Sequence, residues 1–107
     1  MKKIIIFEIN GKKPLDEWME SLKDKNTIAR ISERLWRLSI GCYGDYKKID
    51  NELSELRLKF GSGYRIYFSE INNIILLLLC GGDKSTQKRD IKKAKDYLQN
   101  WKGDNNV

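Results

Sequence analysis

The sequence predicts an α+β domain with the element order β-α-α-β-β-β-α, a mainly antiparallel sheet with its helices packed on one side and an open basic face on the other. Three observations carry this. A β-branched run opens the chain, two stripes of helical period follow it, and three strand-like runs come next, divided by glycine and asparagine turns. A last helical stripe closes the domain.

Lys3 to Ile9 reads as the first strand, ended by Asn10-Gly11. Pro14 suits the first turn of a helix, where its missing N–H has no partner to lose. Leu15, Trp18, Met19 and Leu22 then recur at i, i+3, i+4 and i+7 on one stripe. Lys23 to Asn26 breaks that helix. Asn26 is the expected N-cap of a second, whose Ile28, Ile31, Leu35 and Leu38 share a side, and Gly41 is its expected stop.

Cys42 to Asp50, "CYGDYKKID", reads as a polar loop. From Glu52 to Phe60, Leu56, Leu58 and Phe60 alternate with Glu55, Arg57 and Lys59, the pattern of a half-buried strand. Gly61-Ser62-Gly63 supplies a three-residue turn, Tyr64 to Ser69 the return strand, and Asn72-Asn73 a second turn. Ile74 to Cys80 is apolar throughout, as for a central strand covered on both faces. Gly81-Gly82 reads as its exit. Ser85 or Thr86 caps a last helix that buries Ile91, Ala94, Leu98 and Trp101, and residues 102–107 form a frayed tail.

A chain of 107 residues has room for one core, so a single domain spans 1–107. Twenty-one basic residues against 15 acidic ones leave a net charge of +6, which suits a polyanionic partner. There is no histidine, which excludes histidine catalysis and histidine ligation. Cys42 and Cys80 form no CxxC and read as reduced cysteines, so no metal site and no cofactor are expected. The apolar run in "MKKIIIF" is too short for a signal peptide, and no stretch approaches a membrane span. The expected location is cytoplasmic.

A three-residue turn places Phe60 opposite Tyr64, Lys59 opposite Arg65 and Arg57 opposite Tyr67. Alternation then gathers Arg57, Lys59, Arg65 and Tyr67 on one face, with no acid beside them in the stretch from Leu56 onward. Like charges facing each other across a sheet are unfavourable. A phosphate backbone would reconcile them, with Tyr67 stacking a base and the basic start of the last helix, Lys84, Lys88 and Arg89, adding contacts. Such a face can also cut RNA, provided the 2′-hydroxyl attacks the adjacent phosphate. Arg57 and Arg65 would stabilise the added charge, and Lys59, crowded by both, is the candidate general base. "GGDKS" is not a Walker A loop, since its upstream glycine spacing is wrong.

"ELRLKFGSGYRIYF" followed by "LLLLCGGDKSTQKRDIKKAKDYL" resembles the RelE/ParE toxin superfamily, most closely the HigB-like branch of addiction-module killer proteins. The similarity runs nearly the full chain and is most specific from Leu56 to Leu98. It implies a RelE-like fold with a concave basic active face, entry into the ribosomal A site, and mRNA cleavage by 2′-hydroxyl attack. The family's two strand lysines correspond to Arg57 and Lys59, its arginine after Gly-Tyr to Arg65, and its basic residue after the last strand to Lys84. Arg57 keeps the charge of the first lysine but cannot act as base. The family's C-terminal aromatic aligns with Asp90, which leaves Asp90, Tyr67 and Gln87 as candidates for proton transfer. In the first turn of a helix, Asp90 also complements the dipole.

The resemblance implies a toxin of a type II toxin–antitoxin pair, an endoribonuclease (mRNA interferase) that inhibits translation. Its expected partners are a cognate helix-turn-helix antitoxin, the ribosome and mRNA, with promoter DNA reached only through the antitoxin and no membrane contact. The alternative is a non-enzymatic ParE-like toxin that binds and inhibits DNA gyrase.

Overall fold

The apolar run that ends at Cys80 is the axis of the fold, because a strand with leucine on both sides must be covered on both. The computed structural model describes residues 1–106. In chain order the elements are β1 (Lys3–Ile6), α1 (Pro14–Ser21), α2 (Lys25–Ser39), β2 (Tyr46–Lys48), β3 (Ser54–Leu58), β4 (Tyr64–Ile71), β5 (Ile75–Gly82), a 3-10 turn (Lys84–Thr86) and α3 (Gln87–Asp104). This is a mixed α+β architecture. The five strands form one sheet in the spatial order β1-β5-β4-β3-β2, antiparallel except where β1 runs parallel to β5.

The element order departs from expectation by one strand. The segment read as a polar loop contains β2, a three-residue edge strand whose Tyr46, Lys47 and Lys48 pair with Leu56, Glu55 and Ser54. It is too short to show a period, and its lysines are what an exposed edge favours.

The layering departs as well. Helices cover both faces of the sheet, not one. Leu15 of α1 with Ile31 and Leu38 of α2 packs on Leu56, Leu58, Ile66, Phe68, Leu76 and Leu78. Ala94 and Leu98 of α3 pack on the other face against Leu53, Tyr67, Leu77 and Leu79. The alternate leucines of β5 require this, each contributing about 1.5–3 kcal/mol when fully buried.

Local signals account for most boundaries. Pro14 opens α1 as expected, and its stripe faces the core. At the other end of α2, Gly41 at φ 91° receives the chain while Cys42 N–H and Gly41 N–H donate to Arg37 and Leu38 carbonyls, a Schellman closure. Asn72 and Asn73, both at positive φ, begin the three-residue connection between β4 and β5.

The N-cap of α2 is Asp24 rather than Asn26. Its carboxylate accepts from the Asn26 N–H and the Thr27 hydroxyl. Gly81 and Gly82 do not leave the sheet but pair with Ile66 and Arg65. A Cβ on Gly81 would come 2.3 Å from the Trp18 ring, and one on Gly82 1.8 Å from the Asp90 carboxylate. Two helices press on the strand at that point, and only glycine fits. α3 runs on to Asp104, so Lys102 to Asp104 are helical, with Lys102 paired to Glu52; Val107 lies outside the described residues. No helix among the described residues is long and apolar enough to cross a membrane.

Candidate functional site

The site is set by how β3 turns into β4. The connection is longer than the glycines alone imply, because Phe60 leaves the ladder. It packs edge-on to Tyr64, with ring centroids 5.4 Å apart. Gly61 and Gly63, at φ 57° and 76°, bracket the loop. Leu58 rather than Phe60 therefore stands opposite Tyr64, and the register moves by two residues. Arg57 faces Arg65, Glu55 faces Tyr67, and Lys59 lies beyond the ladder. A two-residue shift preserves the faces but changes every pair.

The acid that the cations lacked in the hairpin is Glu55. Its side chain is fully buried and its Oε1 accepts from Arg57 Nε at 2.8 Å, with Arg65 Nε 3.6 Å away. Its Oε2 accepts from Gln87 Nε2 at 2.8 Å, which ties the first turn of α3 to the strand. Burial pushes the Glu55 carboxyl up, yet the hydrogen bonds from Arg57 and Gln87 and the charges of Arg57 and Arg65 outweigh it. The group sits below its ordinary value and stays ionised. The hydrogen bond to Glu55 in turn raises the Arg57 guanidinium.

Both arginines thus offer their Nε edge to the interior. Arg65 Nη1 also donates to the Gly63 carbonyl at 2.8 Å. The terminal nitrogens of Arg57 and the Nη2 of Arg65 have no protein partner among the described residues. With side chains 29% and 14% exposed, the two guanidiniums are held from behind and open at the front. That arrangement suits one oxyanion received by two forks.

The other expected site residues divide. The backbone of Lys84 lies beside the pair: its N–H donates to the Ser62 carbonyl, and a Cβ added at Gly63 would meet both Arg65 Nη1, at 3.3 Å, and Lys84 Cβ, at 3.4 Å. Lys59 is 80% exposed and 3.6 Å from Asp45, so it is not crowded between the two arginines. Tyr67 is on the expected side of the sheet but fully buried beneath α3, so it offers no surface for stacking. Its hydroxyl has no hydrogen-bond partner among the described residues, and burial, then the nearby Glu55 and Asp90 charges, raises it. Asp90 is buried against Gly82 and accepts from the Thr86 hydroxyl, facing the helix start rather than solvent. Lys88 and Arg89 line a separate hollow with Lys92. The expected open face is therefore a half-buried patch at the end of the sheet, just past the start of α3.

Another hollow, of about 450 Å³ beside Tyr43, Tyr46, Lys48 and Glu70, contains none of these residues. Cys80 is buried, and that burial first, then Asp90, pushes its thiol up to about 12, so it is no nucleophile.

No family model matches the chain. It is 46% identical over 84 residues to an uncharacterized protein of Haemophilus influenzae, an alignment covering 78% of this chain and 85% of that one. The chain belongs to that protein's family. The relationship carries no activity with it, so chemistry has to be argued from the site.

One residue at the centre of that site escaped the sequence reading. Glu55 lies two positions before Arg57 and so shares its strand face, a signal that was present.

Proposed function

We propose that the chain is a RelE-like toxin of a type II toxin–antitoxin pair that cleaves mRNA on the ribosome and so inhibits translation. The observation that carries this reading is the Arg57–Arg65 pair, opposed across two strands and anchored by one buried carboxylate. The motif resemblance from Leu56 to Leu98 supports it.

In this reading the scissile phosphate rests on the free edges of Arg57 and Arg65, with Lys84 adding charge. The substrate's 2′-oxygen attacks phosphorus, the bond to the 5′-oxygen breaks, and the leaving oxygen takes a proton from water, giving a 2′,3′-cyclic phosphate and a 5′-hydroxyl. The two guanidiniums stabilise the extra negative charge of the pentacoordinate state. Lys59 is exposed outside the Glu55 cluster, 3.6 Å from Asp45, and in its neutral form it is the group that would take the proton of the attacking hydroxyl. The cognate antitoxin silences the toxin by covering this patch or by blocking entry to the ribosome.

One observation favours the competing reading, a non-enzymatic inhibitor of DNA gyrase. Glu55 offsets part of the arginine charge, as it would if the pair served structure alone.

A reconstituted translation reaction with primer extension of the mRNA separates the two. Cuts found only on translating ribosomes, and lost in a Lys59→Ala, Arg65→Ala variant, are expected. Intact mRNA with the wild-type protein, together with inhibited supercoiling by gyrase, would reverse the assignment. A Lys59→Arg variant is expected to bind as wild type and cut at least ~100-fold more slowly, because arginine keeps the charge and cannot take the proton.

A further inference from the structure

Arg30, Arg34 and Arg37 of α2 are spaced i, i+4 and i+7, so they share one face of the helix. Like charges at that spacing destabilise a helix. The face meets the end of β3 on the side of the sheet opposite the Arg57 side chain. There the three arginines, Lys59 and Phe60 line a pocket of about 200 Å³. One acid lines it too, Glu33, and that one is paired with Arg37 at 2.7 Å.

Of the remaining cations, Arg30 and Arg34 have their positive charge held in place with no ion pair to a carboxylate among the described residues. Arg30 lies flat on Phe60, its guanidinium carbon 3.6 Å from the ring centroid. A ring face orients a cation and does not neutralise it. Arg34 donates to three carbonyls, those of Arg57, Tyr43 and Asp45, at 2.8, 3.2 and 3.1 Å. Burial disfavours its charged form, the Asp45 charge works against that, and the like charge of Arg37 adds to it. Lys59 is paired with Asp45 at 3.6 Å. An arriving anion would relieve this repulsion with little movement of the arginines.

We propose that this pocket is a second phosphate subsite, taking a backbone phosphate of the same RNA strand whose scissile phosphate lies at Arg57 and Arg65. The inference rests on the RNA reading above and extends it round the end of β3. Lys59 lines the pocket and follows Arg57 by two residues, so the two sites are neighbours along the chain. An acidic peptide is the less suitable occupant. The hollow has room for one phosphate and its sugar rather than a helix, and Phe60 sets an aromatic face among the cations, as single-strand readers do.

The test is fluorescence anisotropy with a short, labelled 2′-O-methyl oligouridine, which cannot be cut by 2′-hydroxyl attack. Binding is measured from about 50 to 200 mM salt. An Arg30→Ala, Arg37→Ala variant is expected to bind roughly tenfold more weakly at the low end. Its slope of log affinity against log salt should be shallower by about 1.4, two contacts at 0.7 each. Arg30→Gln, Arg37→Gln keeps helix propensity and serves if the alanine form melts early.

Wild-type affinity and slope in both variants would overturn the proposal, and so would an absence of RNA binding by the wild-type protein. Poly-glutamate binding that the variants lose, with RNA binding unchanged, would reassign the pocket to an acidic protein. The two readings fail separately. RNA that binds through the pocket without mRNA being cut on ribosomes leaves the subsite and removes the nuclease, whereas cutting with an unchanged salt slope does the reverse.

Discussion

Arg57 and Arg65 stand directly opposite each other across β3 and β4, and a single buried carboxylate, Glu55, lies between their Nε edges. Replacing Glu55 by alanine would leave two poorly solvated guanidiniums without a counter-ion. Breaking a buried pair in that way costs about 3–5 kcal/mol. Urea titration of Glu55→Ala is expected to show a loss of about 3 kcal/mol or more, with Glu55→Gln losing less because its amide oxygen still accepts a hydrogen bond. A loss under about 1 kcal/mol in the alanine variant would mean that the arginines are solvated without the acid.

The same carboxylate gives stability a pH dependence of known sign. Burial pushes Glu55 and Glu70 up, but hydrogen bonds and nearby cations outweigh it, and both lie below their ordinary 4.5 when folded. The unfolded chain therefore binds protons first as pH falls. Their stabilisation is complete above about 5 and is lost as pH drops through the folded values, below about 4.5. Urea midpoints should be level from neutral pH down to that point and then decline, with a shallower decline in Glu55→Gln. Midpoints that rise on acidification would refute the ionised assignment.

Two tyrosines make opposite predictions. Tyr67 buries a hydroxyl with no partner among the described residues, whereas Tyr43 donates its own to Glu70. Removing an unsatisfied buried hydroxyl should be neutral or stabilising by about 1 kcal/mol, while removing a bonded one should cost about 1 kcal/mol. Thermal melts of Tyr67→Phe and Tyr43→Phe should thus move in different directions. A destabilised Tyr67→Phe would reveal a partner for that hydroxyl.

Glycine positions provide a third contrast. A methyl group at Gly82 would collide with the Asp90 carboxylate, itself held by Thr86. Gly82→Ala should cost about 3 kcal/mol or fail to fold. Gly103 is helical with nothing within 4 Å of its added Cβ, so Gly103→Ala should gain about 0.5–1 kcal/mol. No gain there would mean that the last turn of α3 is not populated in solution.

Short-range chemistry was legible in the sequence. Pro14, Gly41 and Asn72-Asn73 each mark a boundary through a backbone requirement that only a few residue types meet. What escaped depended on distant partners. Phe60 alternates like a strand residue, and only its packing on Tyr64 and Arg30 draws it from the ladder and moves the register. Tyr67 was placed on the correct face, but α3 returns over that face from far along the chain. The leucines of β5 already implied two covers; assigning every helix to one side of the sheet was inconsistent with them. Gly81 and Gly82 look like an exit until the ring and the carboxylate that crowd them are known.

The parallel pairing of β1 with β5 joins Lys3 to Ile75, roughly seventy residues later, and no local turn assists it. At a synthesis rate of roughly 5–20 residues per second, the first strand waits several seconds for its neighbour to be made. The β3–β4 hairpin with its opposed arginines can form in that interval, but Gln87, the hand of α3 on Glu55, arrives only afterwards. A nascent chain thus has its two guanidiniums before it has the helix that steadies them.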